Sequence, residues 1–470
     1  MPLFPSKLAS RALSLLLCVL LIFAAPILPT QAFSVGEEKK AGEQIQASIR
    51  QEFTLLDDPD IDQYIGQLGR EILAVAGPQY FDYRFYVIKD RDFNAFAAPS
   101  GLVFINSGLI EAMDNENELV GVMAHEIGHV VRRHLADRID KGSKIGIGTA
   151  ALILAGIALG GGELSEAVIT GAMATGAAMN LKFSRENEEE ADRQAFSWMV
   201  AMGRDPQDIL SMLAKMRRIS ILKIGKIPPY LLTHPGPEQR MDYVQDLLQS
   251  TGASRIDKAA DNFRFARIRY RTMVSTRDTT TLLPILLKKV EGADADAEMA
   301  RYGLALIYQQ EGNFAKSRGY LRELLARYPD QPILKTDLGL VYIREGKPDE
   351  ALKLFRAAHL ADPGDAYTLF QLARSLEDSG QTSEAIAHYQ TMLSLTPTFA
   401  RLNFQLGRAL SATGRADQGS YYNGVSNWLE GNLPAARYHL QKAIDTLPVK
   451  DPLREKGLDL LAKIKQLEKL

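Results

Sequence analysis

Met123-Ala124-His125-Glu126-Ile127-Gly128-His129 is the stretch on which the reading of this chain turns. Two histidines four residues apart fall on one face of a helix, about one turn from each other. Their imidazoles can share one tetrahedral zinc ion. Glu126, beside them, can take a proton from water that such an ion activates. Leu119, Val120, Val122 and Met123 precede the motif, and Ile127, Val130 and Val131 run through and past it. That pattern predicts a helix largely buried in a core, the rigid support a metal site requires. The competing reading is a pair of core histidines satisfied by hydrogen bonds. Two buried imidazoles with a carboxylate between them are costly without a metal or partners, and the chain has only seven histidines in 470 residues. His134 follows Arg132-Arg133 and reads as a solvated residue, not a ligand.

A catalytic zinc needs a third protein ligand and an open position for water. The run Ser184-Arg185-Glu186-Asn187-Glu188-Glu189-Glu190-Ala191-Asp192-Arg193 offers one, although an acidic run is more often a solvated helix face. Glu188 and Asp192 stand four apart and share a face, while Ala191, Ala195, Phe196 and Met199 form an apolar stripe for packing. Of two carboxylates one turn apart, the first can ligate a metal. The second can then accept a hydrogen bond from a ligating histidine. Spacing alone leaves Glu186, Glu188, Glu189 and Glu190 open as the ligand.

These motifs together, His125-Glu126-x-x-His129 and then Glu188-x-x-Ala191-Asp192, resemble the metallopeptidase family that includes HtpX and the CAAX-prenyl endopeptidases, in its soluble bacterial BepA/YfgC type. The resemblance covers residues 33–470; its protease motifs are specific and its repeat half is generic. It implies an α+β, mostly helical zinc metallopeptidase domain of the gluzincin kind. It also makes Glu188 the third zinc ligand, with Asp192 as the hydrogen-bond partner behind the ligands. Phe93 to Asn106 reads as a strand, a Pro99-Ser100-Gly101 turn and a second strand, a segment that borders the active site in the family. Its edge can hold an extended substrate by main-chain hydrogen bonds. Ser100 departs from the family, which usually has glycine there. His234 lies in Leu232-Thr233-His234-Pro235-Gly236, and by composition alone it is a surface residue. The resemblance instead turns it toward the metal. There it either hydrogen-bonds the developing oxyanion or fills the fourth zinc position and holds the enzyme latent. Arg240 is expected to pair with an acidic group and anchor this loop.

Net charge is −2, near −4 without a leader carrying Lys7 and Arg11, so no basic excess points to nucleic acid. Lys7 and Arg11, the apolar Ala12 to Ala25 and the small-residue site Thr30-Gln31-Ala32 read as a signal peptide cleaved after Ala32, with an uncleaved anchor as the rival. Cys18, the only cysteine, lies inside it, so the mature chain has nothing to mispair in an oxidising periplasm. A second apolar region, Ile145 to Leu159 and Ala167 to Met179 around Gly160-Gly161-Gly162, is too short and glycine-rich in each half to span a membrane comfortably. It predicts a helical hairpin over the active site. The hairpin serves for packing or, in a sharper reading, as a mobile lid or a point of membrane-surface contact.

From about residue 298 the chain repeats every 34 residues, the period of tetratricopeptide helix pairs and of an all-α solenoid. Leu338-Gly339, Tyr342, Gly346, Ala351, Phe355, Ala358 and Pro363 mark the clearest unit. A fourth unit, marked by Gly424, Gly431, Ala436 and Leu440, is displaced. Ala400 to Thr413 precedes it as an extra helix that breaks the period, and residues 453–470 cap the array. The expected organisation is a signal peptide (1–32), a zinc metallopeptidase domain (33–254), connecting helices (255–297) and a tetratricopeptide-repeat domain (298–470). The resemblance implies a periplasmic zinc (Zn2+) endopeptidase. Its substrates would be misfolded or stalled outer-membrane proteins, and its repeats would bind the barrel-assembly machinery. The alternative is a chaperone or scaffold whose zinc site is latent.

Overall fold

The computed structural model of the chain describes residues 34–141, 183–222, 229–234, 236–252 and 262–467. The expected leader and the apolar stretch 145–179 lie outside the described residues. No helix among the described residues is long and apolar enough to cross a membrane.

The N-terminal part is a three-stranded sheet wrapped by helices. Helices α1 (Val35–Glu52) and α2 (Pro59–Ala76) precede strand β1 (Arg84–Ile88). Asp58 caps α2 by accepting from the amides of Asp60 and Ile61, with Pro59 in the first turn. Strands β2 (Ala95–Ala98) and β3 (Leu102–Asn106) form the predicted hairpin around Pro99–Gly101. The sheet order is β1-β3-β2, with β1 parallel to β3 and β2 antiparallel to it. Every residue of β3 is buried, as a central strand covered on both faces must be.

After α3 (Ser107–Ala112) comes α4 (Glu116–Val131), the helix of the His-Glu-x-x-His motif. Asn115 caps it by accepting from the amide of Glu118. All residues from Glu116 to Val130 are buried. A helix buried on every side must have its polar groups paired. Accordingly, Glu116 accepts from Tyr64 and Arg204, and Glu118 from Lys215 and the amide of Asp114. The chain then runs through α5 (His134–Lys141), α6 (Arg185–Ala201), α7 (Gln207–Leu222), α8 (Pro229–Thr233) and α9 (Pro237–Thr251). A capping box between Ser184 and Asn187 starts α6.

Helices α10 (Asn262–Thr276) and α11 (Thr279–Lys289) stand between the two halves. One face of α10 gives Phe265 and Ile268 to the N-terminal core. The other gives Tyr270, Met273 and Val274 to the core of the first repeats. One rigid helix is thus shared by both cores. The repeats follow as helix pairs α12/α13 (Ala295–Gln310, Phe314–Arg327), α14/α15 (Ile333–Arg344, Pro348–Ala361), α16/α17 (Ala366–Asp378, Thr382–Leu395), α18/α19 (Ala400–Ala412, Ala416–Leu429) and α20/α21 (Leu433–Thr446, Pro452–Leu467). Gly339 must be small, because a Cβ there would lie 2.5 Å from the Phe355 ring.

The fourth unit requires a correction. Left-handed glycines turn the chain at Gly312, Gly346, Gly380 and Gly414, so the 34-residue spacing continues through Ala400–Leu429. The break comes one helix later than the sequence pattern suggested. Gly431, also left-handed, starts α20 only a helix length after Gly414.

The repeats fold back on the N-terminal half. The Gln63 amide donates to Gly364 O at 2.7 Å and its carbonyl accepts from Ala366 N at 2.7 Å. Lys463 in α21 pairs with Glu43 in α1 at 2.8 Å.

Candidate metal centre

The site forms where α4 and α6 touch. Gly128, inside the motif, permits the approach: a Cβ there would lie 3.3 Å from both Cα and O of Ala191. That contact brings Glu188, three residues before Ala191, and Asp192, directly after it, up to the two histidines. The third element is α8, which ends at Thr233 and is followed by His234 and the left-handed Gly236 (φ 67°).

Four buried side chains converge. His125, His129, Glu188 and His234 each offer a donor atom, all within 4.8 Å of one another. His125 Nε2 lies 3.0 Å from His129 Nε2 and 3.3 Å from His234 Nδ1. Glu188 Oε1 lies 3.0 Å from His234 Nδ1 and 3.5 Å from His129 Nε2, and Glu188 Oε2 is 3.5 Å from His125 Nε2. Two ligands held about 2.0–2.1 Å from one tetrahedral zinc stand about 3.3 Å apart, so these separations are the edges of a metal-sized polyhedron. Imidazole nitrogens with one carboxylate also suit a zinc-like ion. The donor set therefore fits a metal.

The surrounding groups orient the donors. Asp192, fully buried, accepts from His125 Nδ1 at 2.8 Å, which leaves His125 Nε2 for the cluster. Arg240 donates to both Asp192 oxygens, at 2.8 and 2.7 Å, and its Nη1 lies 3.0 Å from Glu188 Oε2 without hydrogen-bond alignment. The expected acidic partner of Arg240 is thus this pair of carboxylates. Burial alone would raise Glu188, but His234 and Arg240, with His125 and His129 close by, hold it well below the usual carboxylate range. Burial and Arg240 press His125 down, yet Asp192 and Glu188 prevail and hold its pKa up at about 9. The pocket therefore favours a positive charge at the cluster, whether a proton or a metal ion. His129, by contrast, is held well below its ordinary value by burial.

Glu126 stands beside the cluster. Its Oε1 accepts from the Tyr230 hydroxyl at 3.2 Å and lies 3.5 Å from His234 Nε2. Its Oε2 is buried with no hydrogen-bond partner among the described residues. Burial raises its pKa, which suits a carboxylate that must accept a proton and later release it.

Three participants escaped the sequence reading. Tyr230 stacks on His234 at 4.3 Å between ring centroids, and Phe183 stacks on His129 at 3.9 Å. No spacing rule marks either. His134 is the third, and it corrects an expectation: it is not solvated but 2% exposed, with Nδ1 2.9 Å from His129 Nδ1. Its position five residues after His129 gave no helical pairing signal, because the chain kinks between them at Arg133 (φ 54°).

A motif helix carrying two histidines and a glutamate, a second helix delivering a carboxylate, and an attached helical repeat array define a metallopeptidase with a tetratricopeptide solenoid. Residues 59–248 match the model of peptidase family M48, and residues 286–332, 302–366 and 342–391 match tetratricopeptide-repeat models. The chain belongs to peptidase family M48 and is a metalloendopeptidase. It is 28% identical over 400 residues to the beta-barrel assembly-enhancing protease of Yersinia pestis, covering 77% of this chain and 82% of that one. It is 29% identical over 360 residues to the protein of that name from Escherichia coli K12, covering 75% and 72%. A relative from Vibrio cholerae is 30% identical over 339 residues, covering 67% of this chain and 68% of its own.

Proposed function

We propose that this chain is a zinc endopeptidase of the bacterial periplasm that removes misfolded or stalled outer-membrane β-barrel proteins and assists their assembly. The observation that carries the catalytic half is the convergence of His125, His129 and Glu188 beside a Glu126 oxygen that has no partner among the described residues. These three residues would hold a zinc ion, which would supply Lewis acidity toward a peptide carbonyl and toward water. Glu126 takes the proton of the attacking water on Oε2 and hands it to the leaving amine. Tyr230 fixes the other carboxylate oxygen in place. Asp192 and Arg240 hold His125 in the tautomer that presents Nε2.

His234 closes the donor set at rest, since its Nδ1 stands among the other donors. Moving aside, His234 would leave the other three donors to hold the metal and could donate to the oxyanion. The barrel-assembly role rests on the names of the relatives, and the location on the expected leader of residues 1–32. The peptidase work belongs to residues 33–254. Recruitment of the assembly machinery belongs to the repeats of residues 298–470, and residues 255–297 join the two.

The closed donor set also favours a second reading, a scaffold whose zinc site stays latent. Glu126→Gln tests both. The variant should bind one zinc per chain and lose cleavage of unfolded outer-membrane protein by about 100-fold or more. Retained cleavage sinks the enzyme mechanism. Lost cleavage with intact barrel assembly in cells shows that the scaffold role is separate.

A further inference from the structure

His125 has a carboxylate behind it, as histidine ligands usually do. Behind His129, on its Nδ1 side, the partner among the described residues is His134 and not a carboxylate. We propose that His134 and Glu190 form an outer hydrogen-bond chain that fixes the tautomer of His129 and positions it for metal binding, a role that rests on the zinc reading above.

The atoms leave one consistent arrangement. His129 turns Nε2 toward His125 and Glu188, so that nitrogen must keep a free lone pair to bind a metal. Its proton is then on Nδ1, which lies 2.9 Å from His134 Nδ1. Two nitrogens at that distance need one donor and one acceptor. His134 Nδ1 therefore accepts, and its own proton sits on Nε2. That nitrogen lies 3.0 Å from Glu190 Oε2 and donates to it. Glu190 is half-exposed, and its other oxygen lies 3.1 Å from Arg132 Nε. The chain thus runs from the buried cluster to the surface of α6.

The backbone is bent to make this contact. Arg133 adopts a left-handed φ of 54°, unusual for a residue with a side chain, and it separates α4 from α5. Arg133 is anchored by Glu38, whose carboxylate accepts its Nε at 2.9 Å. The reversal places His134, the first residue of α5, under His129 instead of in solvent. Phe183 closes the other face of the His129 ring.

The test uses the full chain and reads metal affinity by competition with a chromophoric chelator, with zinc as the probe. His134→Phe should weaken zinc binding about 10–100-fold. Glu190→Ala, at a half-exposed position, should weaken it several-fold and leave the unfolding midpoint of the zinc-free protein unchanged. Glu190→Gln keeps an oxygen acceptor and should restore wild-type affinity. Long-range nitrogen–proton correlations on the zinc-loaded protein should show the His134 proton on Nε2. Wild-type affinity in both His134→Phe and Glu190→Ala, or a His134 proton on Nδ1, overturns the inference while the zinc reading stands. A wild-type chain that binds no zinc sinks the zinc reading itself.

Discussion

Replacing Arg267 with leucine should uncouple the repeats from the peptidase half. Arg267 lies in α10, and its guanidinium has no exposed surface. It donates to Asp60 of α2, and to both oxygens of Asp337 in α14 at 2.9–3.1 Å. One cation thus joins three elements, one from each part of the chain. Tyr302 and Tyr367 also donate to Asp337 Oδ1, at 3.3 and 3.0 Å, and their rings lie 5.1 and 5.6 Å from the guanidinium carbon. Removing one partner of a buried ion pair costs about 3–5 kcal/mol, because the remaining charge is left in a low-dielectric core. Here Arg271 stays 3.5 Å from both Asp60 and Asp337 and compensates in part. The expected loss is therefore about 3 kcal/mol, the low end of that range.

Urea unfolding can read this by location. The chain has two tryptophans, Trp198 in α6 and Trp428 in α19, so each half carries one fluorophore. In single-tryptophan versions, Arg267→Leu should shift both transitions to lower urea and separate midpoints that coincide in the parent. Adding Asp60→Asn and Asp337→Asn removes the stranded carboxylates and should recover most of the loss. A cost below about 1 kcal/mol, or a triple variant no more stable than the single one, would refute the claim that this buried cluster joins the halves.

Asp365, which caps α16, is pushed up to about 6 by burial and by the nearby Asp60, against the hydrogen bonds from Thr368. A carboxyl raised in the folded state favours folding at low pH. Its contribution is complete below the ordinary carboxylate range and is lost as pH rises through about 6. The stability difference between the parent and Asp365→Asn, in which asparagine keeps the cap, should show this decline of roughly 2–3 kcal/mol from acid to neutral pH. Ser100 holds φ at 71°, where a side chain is strained, so Ser100→Gly should raise stability by roughly 0.5–1 kcal/mol in urea titrations. An unchanged midpoint would show that the turn carries no strain. Gly128→Val should drive α6 away from α4, reducing zinc stoichiometry well below one per chain in a fold that keeps its helical circular dichroism.

Much of this molecule was written in short-range patterns. The 3.6-residue period placed His125 and His129 on one face of α4, and Glu188 and Asp192 on one face of α6. The Pro99-Ser100-Gly101 turn between two strand-like runs marked β2 and β3, and the spaced glycines marked the repeats. Such signals are legible because helix faces, turns and left-handed positions depend on residues only a few places apart.

Tertiary structure alone decided which groups meet across the chain. Spacing left four glutamates as candidates on α6. The contact of Gly128 with Ala191 turned Glu188 toward the histidines and left Glu190 to His134. Tyr230, Phe183 and the burial of His134 carried no local mark, since each depends on a partner brought in by packing. Arg267 and Asp337 are likewise ordinary surface types in sequence, yet they lie buried against each other. Their state follows from how α2, α10 and α14 pack together, and no short window of sequence contains all three.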